Sequence, residues 1–290
     1  MMPRAPRSLH DQAGGSLSWR GFLGAVIAAT LLLTACAPEG GPVAGETPAD
    51  QGVTTGPQSL VVFAAASLTD AFQDLGRRFE AENPGVALTF NFAGSQALRT
   101  QIEEGAAADV FASASVKEME VLAAEGMLVG IARTFATNLL TIVVPLDNPA
   151  DIESPLDLAR PGVKLVLAAE EVPVGAYARQ SIDLLAGLYG ASFSEAVLRN
   201  VVSSEDNVKQ VVAKVQLGEA DAGIVYETDA PAAASLITMA IPREQNVLAE
   251  YPIAVLAQTT NGNLAAAFVE YLLSPDGLDA LERWGFRPPL

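Results

Sequence analysis

Histidine and cysteine are almost missing from this sequence. Its 290 residues contain one of each, and both stand near the start, at His10 and Cys36. The Ser-His-Asp triad and the Cys-His dyad need an imidazole beside the nucleophile, and zinc sites in proteins are built largely from histidine and cysteine. The rest of the chain therefore excludes Ser-His-Asp and Cys-His hydrolases, zinc centres of the His/Cys type, and a disulfide within the chain.

Basic side chains are also scarce, with 17 lysines and arginines against 34 acidic residues. Without residues 1–35, which hold three arginines and one aspartate, 14 basic and 33 acidic residues remain, a formal charge of −19. Nucleic acid is not an expected partner, because its binding depends on cationic contacts to phosphates. The phosphate loop G-x-x-x-x-G-K-[ST] is absent as well. An anionic ligand would meet a repulsive long-range field, so any anion site must work through short-range contacts.

The first 35 residues are typical of a secretion signal. Three arginines precede an apolar run over 21–35 that is too short to span a membrane. The run ends in Leu-Thr-Ala-Cys, the pattern of a bacterial lipoprotein cleavage site, so we expect Cys36 to be lipidated and to anchor an extracytoplasmic protein to the cell membrane. Residues 36–58 are rich in proline, glycine, alanine and threonine without apolar periodicity, which predicts a flexible tether.

From about residue 59 the pattern switches repeatedly between short apolar runs and helical periodicity. At Ser67 an apolar run gives way to a helix face made of Leu68, Ala71, Phe72, Leu75 and Phe79. Further strands are predicted over 86–92, 109–113, 139–145, 164–169, 222–226 and 251–256, and further helices over 116–125, 263–273 and 278–284. Strands that alternate with helices predict parallel sheets with crossover helices, the α/β class.

Four positions where a helix begins share a property that suits an anion. They are Ser67, Ser95, Val174 and Val208, each at the start of a predicted helix. In open α/β sheets, ligands bind beyond the carboxyl ends of the strands, where helix N-termini gather. Each N-terminus offers about half a positive charge and unpaired amides, and Tyr226 at a strand end adds a phenol donor. For Ser67 alone, simple helix capping is the plain alternative.

Several sequence motifs follow one another in the order typical of one known family. They are Val-Phe-Ala-Ala-Ala-Ser-Leu-Thr at 62–69, Gln-Ile-Glu-Glu-Gly-Ala-Ala-Ala-Asp-Val-Phe-Ala-Ser-Ala at 101–114, Val-Pro-Val-Gly-Ala-Tyr-Ala at 172–178, Gly-Glu-Ala-Asp-Ala-Gly-Ile-Val-Tyr at 218–226, Tyr-Pro-Ile-Ala-Val at 251–255, Leu-Ser-Pro at 273–275 and Trp-Gly-Phe at 284–286. With these motifs the chain resembles the periplasmic molybdate-binding proteins of ABC importers, the ModA family, over residues 60 to 287.

The resemblance implies a type II periplasmic-binding-protein fold. Two α/β lobes, each a mostly parallel sheet flanked by helices, would be joined by two crossovers and close over the ligand. Lobe 1 is expected over 59–138 plus 252–290, and lobe 2 over 139–251. The resemblance also implies a monomer that delivers its ligand to the permease subunits of an ABC transporter, without a cofactor and without enzymatic activity.

The resemblance places the ligand groups on the same five residues that start helices or end a strand. The side chains of Ser67 and Ser95, the backbone amides of Val174 and Val208, and the Tyr226 hydroxyl would bind molybdate or tungstate through the oxygens, with no direct metal ligand. Valine stands at position 174 where the family usually has alanine, and the added bulk narrows the expected pocket.

Other ligands and activities are the alternatives. A receptor of the same fold for sulfate or phosphate is the first, and an enzyme on this scaffold is the second. Phosphate keeps a proton near neutral pH and would need a carboxylate acceptor. Glu205 and Asp206, which precede Val208, are the acidic candidates for such an acceptor, and we expect them to cap the helix at Val208 instead. The larger size of molybdate and tungstate separates them from sulfate, but nothing in the sequence separates the two from each other.

Overall fold

A computed structural model describes residues 58–230 and 235–289. The predicted signal over 1–35, the lipidation site at Cys36 and the tether up to residue 57 lie outside the described residues. Within the described ranges, no helix is both long enough and apolar enough to cross a membrane.

The residues in these two ranges form ten strands and eight α-helices. The strands are β1 (Gln58–Ala65), β2 (Val86–Ala93), β3 (Val110–Ala112), β4 (Leu128–Asn138), β5 (Leu140–Pro145), β6 (Leu165–Ala168), β7 (Val201–Glu205), β8 (Ala222–Tyr226), β9 (Leu236–Ala240) and β10 (Ala249–Leu256). The helices are α1 (Thr69–Glu82), α2 (Ser95–Glu103), α3 (Val116–Ala124), α4 (Pro173–Tyr189), α5 (Phe193–Arg199), α6 (Val208–Gln216), α7 (Gly262–Leu273) and α8 (Pro275–Arg283). Short 3₁₀ turns precede α1 and follow β8.

The strands form two five-stranded sheets of matching design. Their orders are β2-β1-β3-β10-β4 in the first sheet and β7-β6-β8-β5-β9 in the second. In each sheet four strands share a direction and one runs opposite to its two neighbours, β10 in the first and β5 in the second. Each of these is the strand by which the chain enters a sheet after leaving the other. The predicted α/β fold with mostly parallel sheets in two lobes is confirmed.

We define lobe 1 as the first sheet with α1, α2, α3, α7 and α8, and lobe 2 as the second sheet with α4, α5 and α6. The chain crosses between the lobes at Leu139, between β4 and β5, and again over 241–248, between β9 and β10. The sequence placed the second crossing at 251/252. Strand β10 already pairs with β4 from Ala249 onward, so by sheet membership lobe 1 resumes three residues earlier.

Aromatic side chains fill the core of lobe 1. Phe72 and Phe79, on the predicted apolar face of α1, are buried and make edge contacts with Phe268 of α7 at centroid distances of 6.3 and 5.3 Å. Phe72 also contacts Phe135 of β4 at 5.7 Å. Because burying one such side chain is worth roughly 1.5–3 kcal/mol, this cluster fixes α1, and with it the turn that precedes α1, against the sheet.

The sequence patterns did not reveal β4, α5 or β9. β4 is the edge strand of the first sheet, and its pairing with β10 shifts register twice. In its first half Val129 and Ile131 are exposed, and between them Gly130 has a φ of +73°. An irregular edge strand loses the apolar alternation that marks a half-buried strand, so its pattern is not recognisable in the sequence.

Candidate anion-binding site

All five predicted ligand residues line one small cavity between the lobes. Ser67 and Ser95 come from lobe 1, and Val174, Val208 and Tyr226 come from lobe 2. The remaining lining residues are mostly small or apolar: Ala65, Ala66, Ala93, Gly94, Ala114, Val172, Pro173 and Asn207. The cavity lies beyond the carboxyl ends of six strands, β1, β2 and β3 in lobe 1 and β6, β7 and β8 in lobe 2, which is where open α/β sheets place their ligands.

Ser67 lies in the 3₁₀ turn between β1 and α1. It is not the N-cap of a helix, because Ala65 holds that position for the 3₁₀ turn and Leu68 holds it for α1. The Ser67 Oγ lies 3.1 Å from the hydroxyl of Tyr251 on β10, and both groups are buried. The alternative that Ser67 is only a helix cap is therefore wrong, because its hydroxyl bonds to Tyr251 on another strand rather than to a backbone amide of the following helix.

Ser95 is the first residue of α2, and its Oγ accepts a hydrogen bond of 3.0 Å from the backbone N–H of Ala114. A hydroxyl has one donor and two acceptor positions. Since an N–H can only donate, this contact occupies an acceptor position of Ser95 and leaves the hydroxyl hydrogen available to a group in the cavity.

Two helix N-termini of lobe 2 contribute backbone amides. Val174 follows Pro173, the first residue of α4, and Val208 is the first residue of α6. The first amides of a helix have no acceptor within the helix, and in the described residues neither Val174 nor Val208 donates its N–H to another group. Asn207 caps α6 by accepting from Gln210 N at 3.2 Å, so the amide of Val208 remains available on the cavity wall.

Tyr226 ends β8 and is completely buried. Within the described part of the chain its hydroxyl has no hydrogen-bond partner. Burial raises the pKa of Tyr226 well above its ordinary value, and the neighbouring Tyr251 adds to this effect, so the hydroxyl keeps its proton. An unpaired buried hydroxyl costs about 1–3 kcal/mol, and an acceptor in the cavity would remove that cost.

No charged side chain lines the cavity among the described residues. Glu205 forms an ion pair of 2.8 Å with Lys214 and a hydrogen bond with Ser203. Although burial works against it, these contacts hold the pKa of Glu205 below its usual range. Asp206 is exposed, and the residue that caps α6 is Asn207, so the predicted capping by Glu205 and Asp206 is wrong. The described lining is therefore uncharged, and its hydroxyls and unpaired helix-terminal amides offer hydrogen-bond donors to the cavity.

The two lobes touch closely beside the cavity at Gly94. A Cβ atom added to Gly94 would lie 2.5 Å from the backbone oxygen of Asp206 in lobe 2. The same oxygen accepts a hydrogen bond of 3.4 Å from Nε2 of Gln96 in lobe 1. The dihedral angles of Gly94, φ −60° and ψ 138°, suit any residue. Glycine is therefore required here by the approach of lobe 2, a condition that the sequence alone does not reveal.

A second contact between the lobes is ionic. Lys209 on α6 lies 2.8 Å from Asp70 on α1 and 3.2 Å from Asp229, just after β8. Asp229 is completely buried, and neither of its oxygens has a directed hydrogen bond within the described residues. Burial raises the pKa of Asp229 to about 6, against the attraction of Lys209. Asp70 lies in the first turn of α1, and the sequence analysis singled out neither Lys209 nor Asp229.

The raised pKa of Asp229 predicts a pH dependence of stability. The folded protein binds the proton with a pKa of about 6 and the unfolded chain with one near 3.8, so the native state holds more protons between these values. The free energy of unfolding is then expected to fall as pH rises from about 4 to 6, by about 3 kcal/mol from this group. Because other carboxylates titrate in the same range, urea unfolding should be compared with Asp229→Asn. Parallel pH profiles for the two proteins would contradict the prediction.

The chain is similar in sequence to known solute-binding proteins. The sequence matches the family model described as bacterial extracellular solute-binding protein over residues 60–287. It is 40% identical over 276 residues to the molybdate-binding protein ModA of Mycobacterium tuberculosis H37Rv, in an alignment that covers 94% of this chain and 100% of that one. The molybdate-binding protein ModA of Escherichia coli K12 is 34% identical over 252 residues, 84% of this chain and 92% of its own length.

Solved structures show the same fold. The periplasmic molybdate-binding protein of Azotobacter vinelandii superposes with a TM-score of 0.70, covering 80% of this chain and 100% of that chain at 21% identity. The two-lobed architecture is thus shared well beyond the range in which the sequences are closely similar.

Proposed function

Since this chain belongs to the bacterial extracellular solute-binding proteins, in the family of the ModA proteins, we propose that it captures molybdate, and equally tungstate, in the cavity between its lobes and delivers the anion to the permease of an ABC importer. The observation that carries this proposal is the cavity itself. Both lobes contribute to it, and its polar groups are two serine hydroxyls, two helix-terminal amides and one tyrosine hydroxyl, with no charged side chain among the described residues.

The donors suit an anion that has no proton. A tetrahedral dianion such as molybdate offers only acceptors, and hydrogen bonds to a charged group are worth roughly 1.5–3 kcal/mol each. Monohydrogen phosphate carries a proton that needs an acceptor, and the nearby carboxylate of Glu205 is engaged by Lys214. Sulfate has the right charge but is smaller. Molybdate and tungstate are nearly equal in size and charge, so we expect the site to bind both.

Closure of the lobes follows from how the donors are divided. Lobe 1 supplies Ser67 and Ser95, while lobe 2 supplies Val174, Val208 and Tyr226. Only a closed arrangement brings both sets to one anion, so the ligand stabilises the closed form by its differential affinity for it. A closed receptor is then distinguishable from an empty one by the permease.

The protein is extracytoplasmic, as its family is. We further propose that the mature chain begins at Cys36, that lipid on this cysteine anchors it to the membrane, and that residues 37–57 serve as a tether that lets the monomeric receptor reach the permease. The proposed role is binding without turnover, because the cavity wall within the described ranges has no nucleophile and base in contact and no carboxylate pair.

Isothermal titration calorimetry tests the proposal. The mature chain, residues 36–290, is titrated with molybdate, tungstate, sulfate and phosphate. We expect tight binding of the first two alone, and a loss of affinity of roughly 10-fold to 100-fold in Ser67→Ala and in Ser95→Ala, the value of one charge-assisted hydrogen bond. Ser194→Ala is the matched control, since the Ser194 hydroxyl bonds the Ile182 carbonyl outside the cavity. Preferential binding of sulfate or phosphate, or no binding of any oxyanion, would overturn the proposal.

A further inference from the structure

We infer that Tyr251 is a positioning and specificity-determining residue, which directs the Ser67 hydroxyl so that it donates to the anion and discriminates against anions that carry a proton. Tyr251 does not line the cavity; it lies behind Ser67 on β10. The inference rests on the proposed function and adds to it a reason for selectivity among oxyanions.

The Tyr251 hydroxyl is held in place by the packing of its ring. The ring makes edge contacts with Phe135, Tyr226 and Phe286, at centroid distances of 6.2, 5.8 and 5.4 Å, and the side chain is completely buried. Aromatic rings in such contacts have little freedom to turn. The hydroxyl therefore stays at 3.1 Å from Ser67 Oγ.

The direction of this hydrogen bond follows from counting protons. Burial raises the pKa of the Tyr251 hydroxyl far above its ordinary range, so the group always carries its proton. Ser67 Oγ is the hydrogen-bond partner found for this hydroxyl within the described residues. When an anion without protons takes the hydrogen of Ser67, Ser67 Oγ can only accept in its contact with Tyr251, so the hydrogen in that 3.1 Å contact is the one of Tyr251. The resulting chain runs from the Tyr251 O–H to the Ser67 Oγ and from the Ser67 O–H to the anion, and hydrogen bonds in such a chain strengthen one another.

The hydroxyl of the other serine, Ser95, is oriented by a comparable hydrogen bond. Ser95 Oγ accepts a hydrogen bond of 3.0 Å from the backbone N–H of Ala114, while Ser67 Oγ accepts one from the Tyr251 hydroxyl. In both cases an internal donor occupies an acceptor position of the serine and turns its hydrogen towards the cavity. A serine without such a partner can rotate its hydroxyl and offer a lone pair instead, which would accommodate the proton of monohydrogen phosphate.

Tyr251→Phe tests this role directly, because it keeps the ring and removes one oxygen atom. The mature chain is titrated at about pH 8, where phosphate is mainly the monohydrogen dianion. We expect molybdate affinity to fall about 10-fold, while phosphate affinity stays unchanged or rises, so that the selectivity ratio falls at least about 10-fold. If Tyr251 had a merely structural role, the substitution would lower the affinity for both anions by the same factor and leave the selectivity ratio unchanged.

Two other tyrosines serve as controls. Tyr226→Phe removes a hydrogen-bond donor that either anion can use, so we expect it to lower the affinities for molybdate and phosphate by similar factors. Tyr189→Phe, at a ring that packs on Phe193 of α5 in lobe 2 at a centroid distance of 5.0 Å, is expected to change neither affinity.

A double-mutant cycle makes the test independent of the single variant. If Tyr251 acts through Ser67, then Tyr251→Phe has little further effect on molybdate affinity in a Ser67→Ala background, whereas additive effects would overturn the inference. Circular dichroism and thermal unfolding establish that each variant is folded. If the unchanged protein fails to bind molybdate, the proposed function fails. If it binds molybdate and Tyr251→Phe leaves the selectivity ratio unchanged, only the role of Tyr251 fails.

Discussion

A Gly94→Ala variant is expected to fold normally and to bind molybdate at least about 100-fold more weakly than the unchanged protein. The added Cβ would lie 2.5 Å from the Asp206 backbone oxygen, and a backbone atom at the start of α6 cannot move aside alone. The lobes must separate instead, which withdraws the donors of lobe 2 from the anion. The loss of two or three charge-assisted hydrogen bonds, at roughly 1.5–3 kcal/mol each, accounts for the magnitude. Calorimetry measures the affinity and thermal unfolding measures the fold.

Variants at two other glycines distinguish an effect on lobe closure from a general loss of stability. At Gly187, in α4, an added Cβ would meet no atom within 4 Å, so Gly187→Ala should keep full affinity and gain slightly in stability. At Gly175 the added Cβ would lie 2.0 Å from the Ala169 oxygen inside lobe 2, so Gly175→Ala should lower stability first. If Gly94→Ala bound molybdate like the unchanged protein, the lobes would not close with the geometry described above.

A Lys209→Met variant is expected to lose roughly 1–3 kcal/mol of folding free energy near neutral pH, because the buried Asp229 then lacks its ionic partner and takes up a proton instead. Asp229 is completely buried, and the cation within 3.2 Å of it is Lys209. Although burial lowers the pKa of Lys209, the charges of Asp229 and Asp70 raise it above its ordinary value, so the lysine stays charged. Methionine keeps most of the length of the side chain and removes only the charge. Urea unfolding measures the loss.

Because the loss of stability in Lys209→Met comes from the buried charge of Asp229, neutralising that charge should restore the stability. The double variant Lys209→Met/Asp229→Asn is expected to recover most of the lost stability, and the penalty of Lys209→Met alone should shrink below about pH 5, where Asp229 is protonated. Arg287→Met is the matched control, because Arg287 and Glu227 form a pair of 2.8 Å that is largely exposed, worth roughly 0–1 kcal/mol. A Lys209→Met loss as small as that of the control would contradict the argument.

The parts of the site that could be predicted from sequence are those set by local chain geometry. Ser67, Ser95, Val174 and Val208 stand where an apolar run or a loop turns into a helical pattern, and such a switch places a residue at a helix N-terminus whatever the rest of the chain does. The positions of these four residues on one cavity wall then followed from the tendency of strand carboxyl ends to share an edge. Their roles as molybdate ligands remain predictions.

The parts that could not be predicted depend on residues far apart in the sequence. Tyr251 meets Ser67 across 184 positions, and Lys209 meets Asp70 across 139. Gly94 looks like an ordinary loop glycine until Asp206 is brought against it. In each case the local pattern is compatible with several roles, and only tertiary packing selects among them, within lobe 1 for Tyr251 and Ser67 and between the lobes for the other two.

The placement of β10 has a consequence for how this protein is made. β3 lies between β1 and β10, and its central residue Phe111 pairs with Ala254 of β10, 143 positions later. Lobe 2 between the two crossings is continuous, whereas lobe 1 draws its sheet from both sides of it. A chain that emerges from a membrane pore with its N-terminus first can therefore complete lobe 2 while β3 still exposes one edge. Until residue 256 has emerged, other strands can pair with that open edge and cause aggregation. The newly synthesised protein therefore depends on the C-terminal segment that contains β10 for both solubility and function.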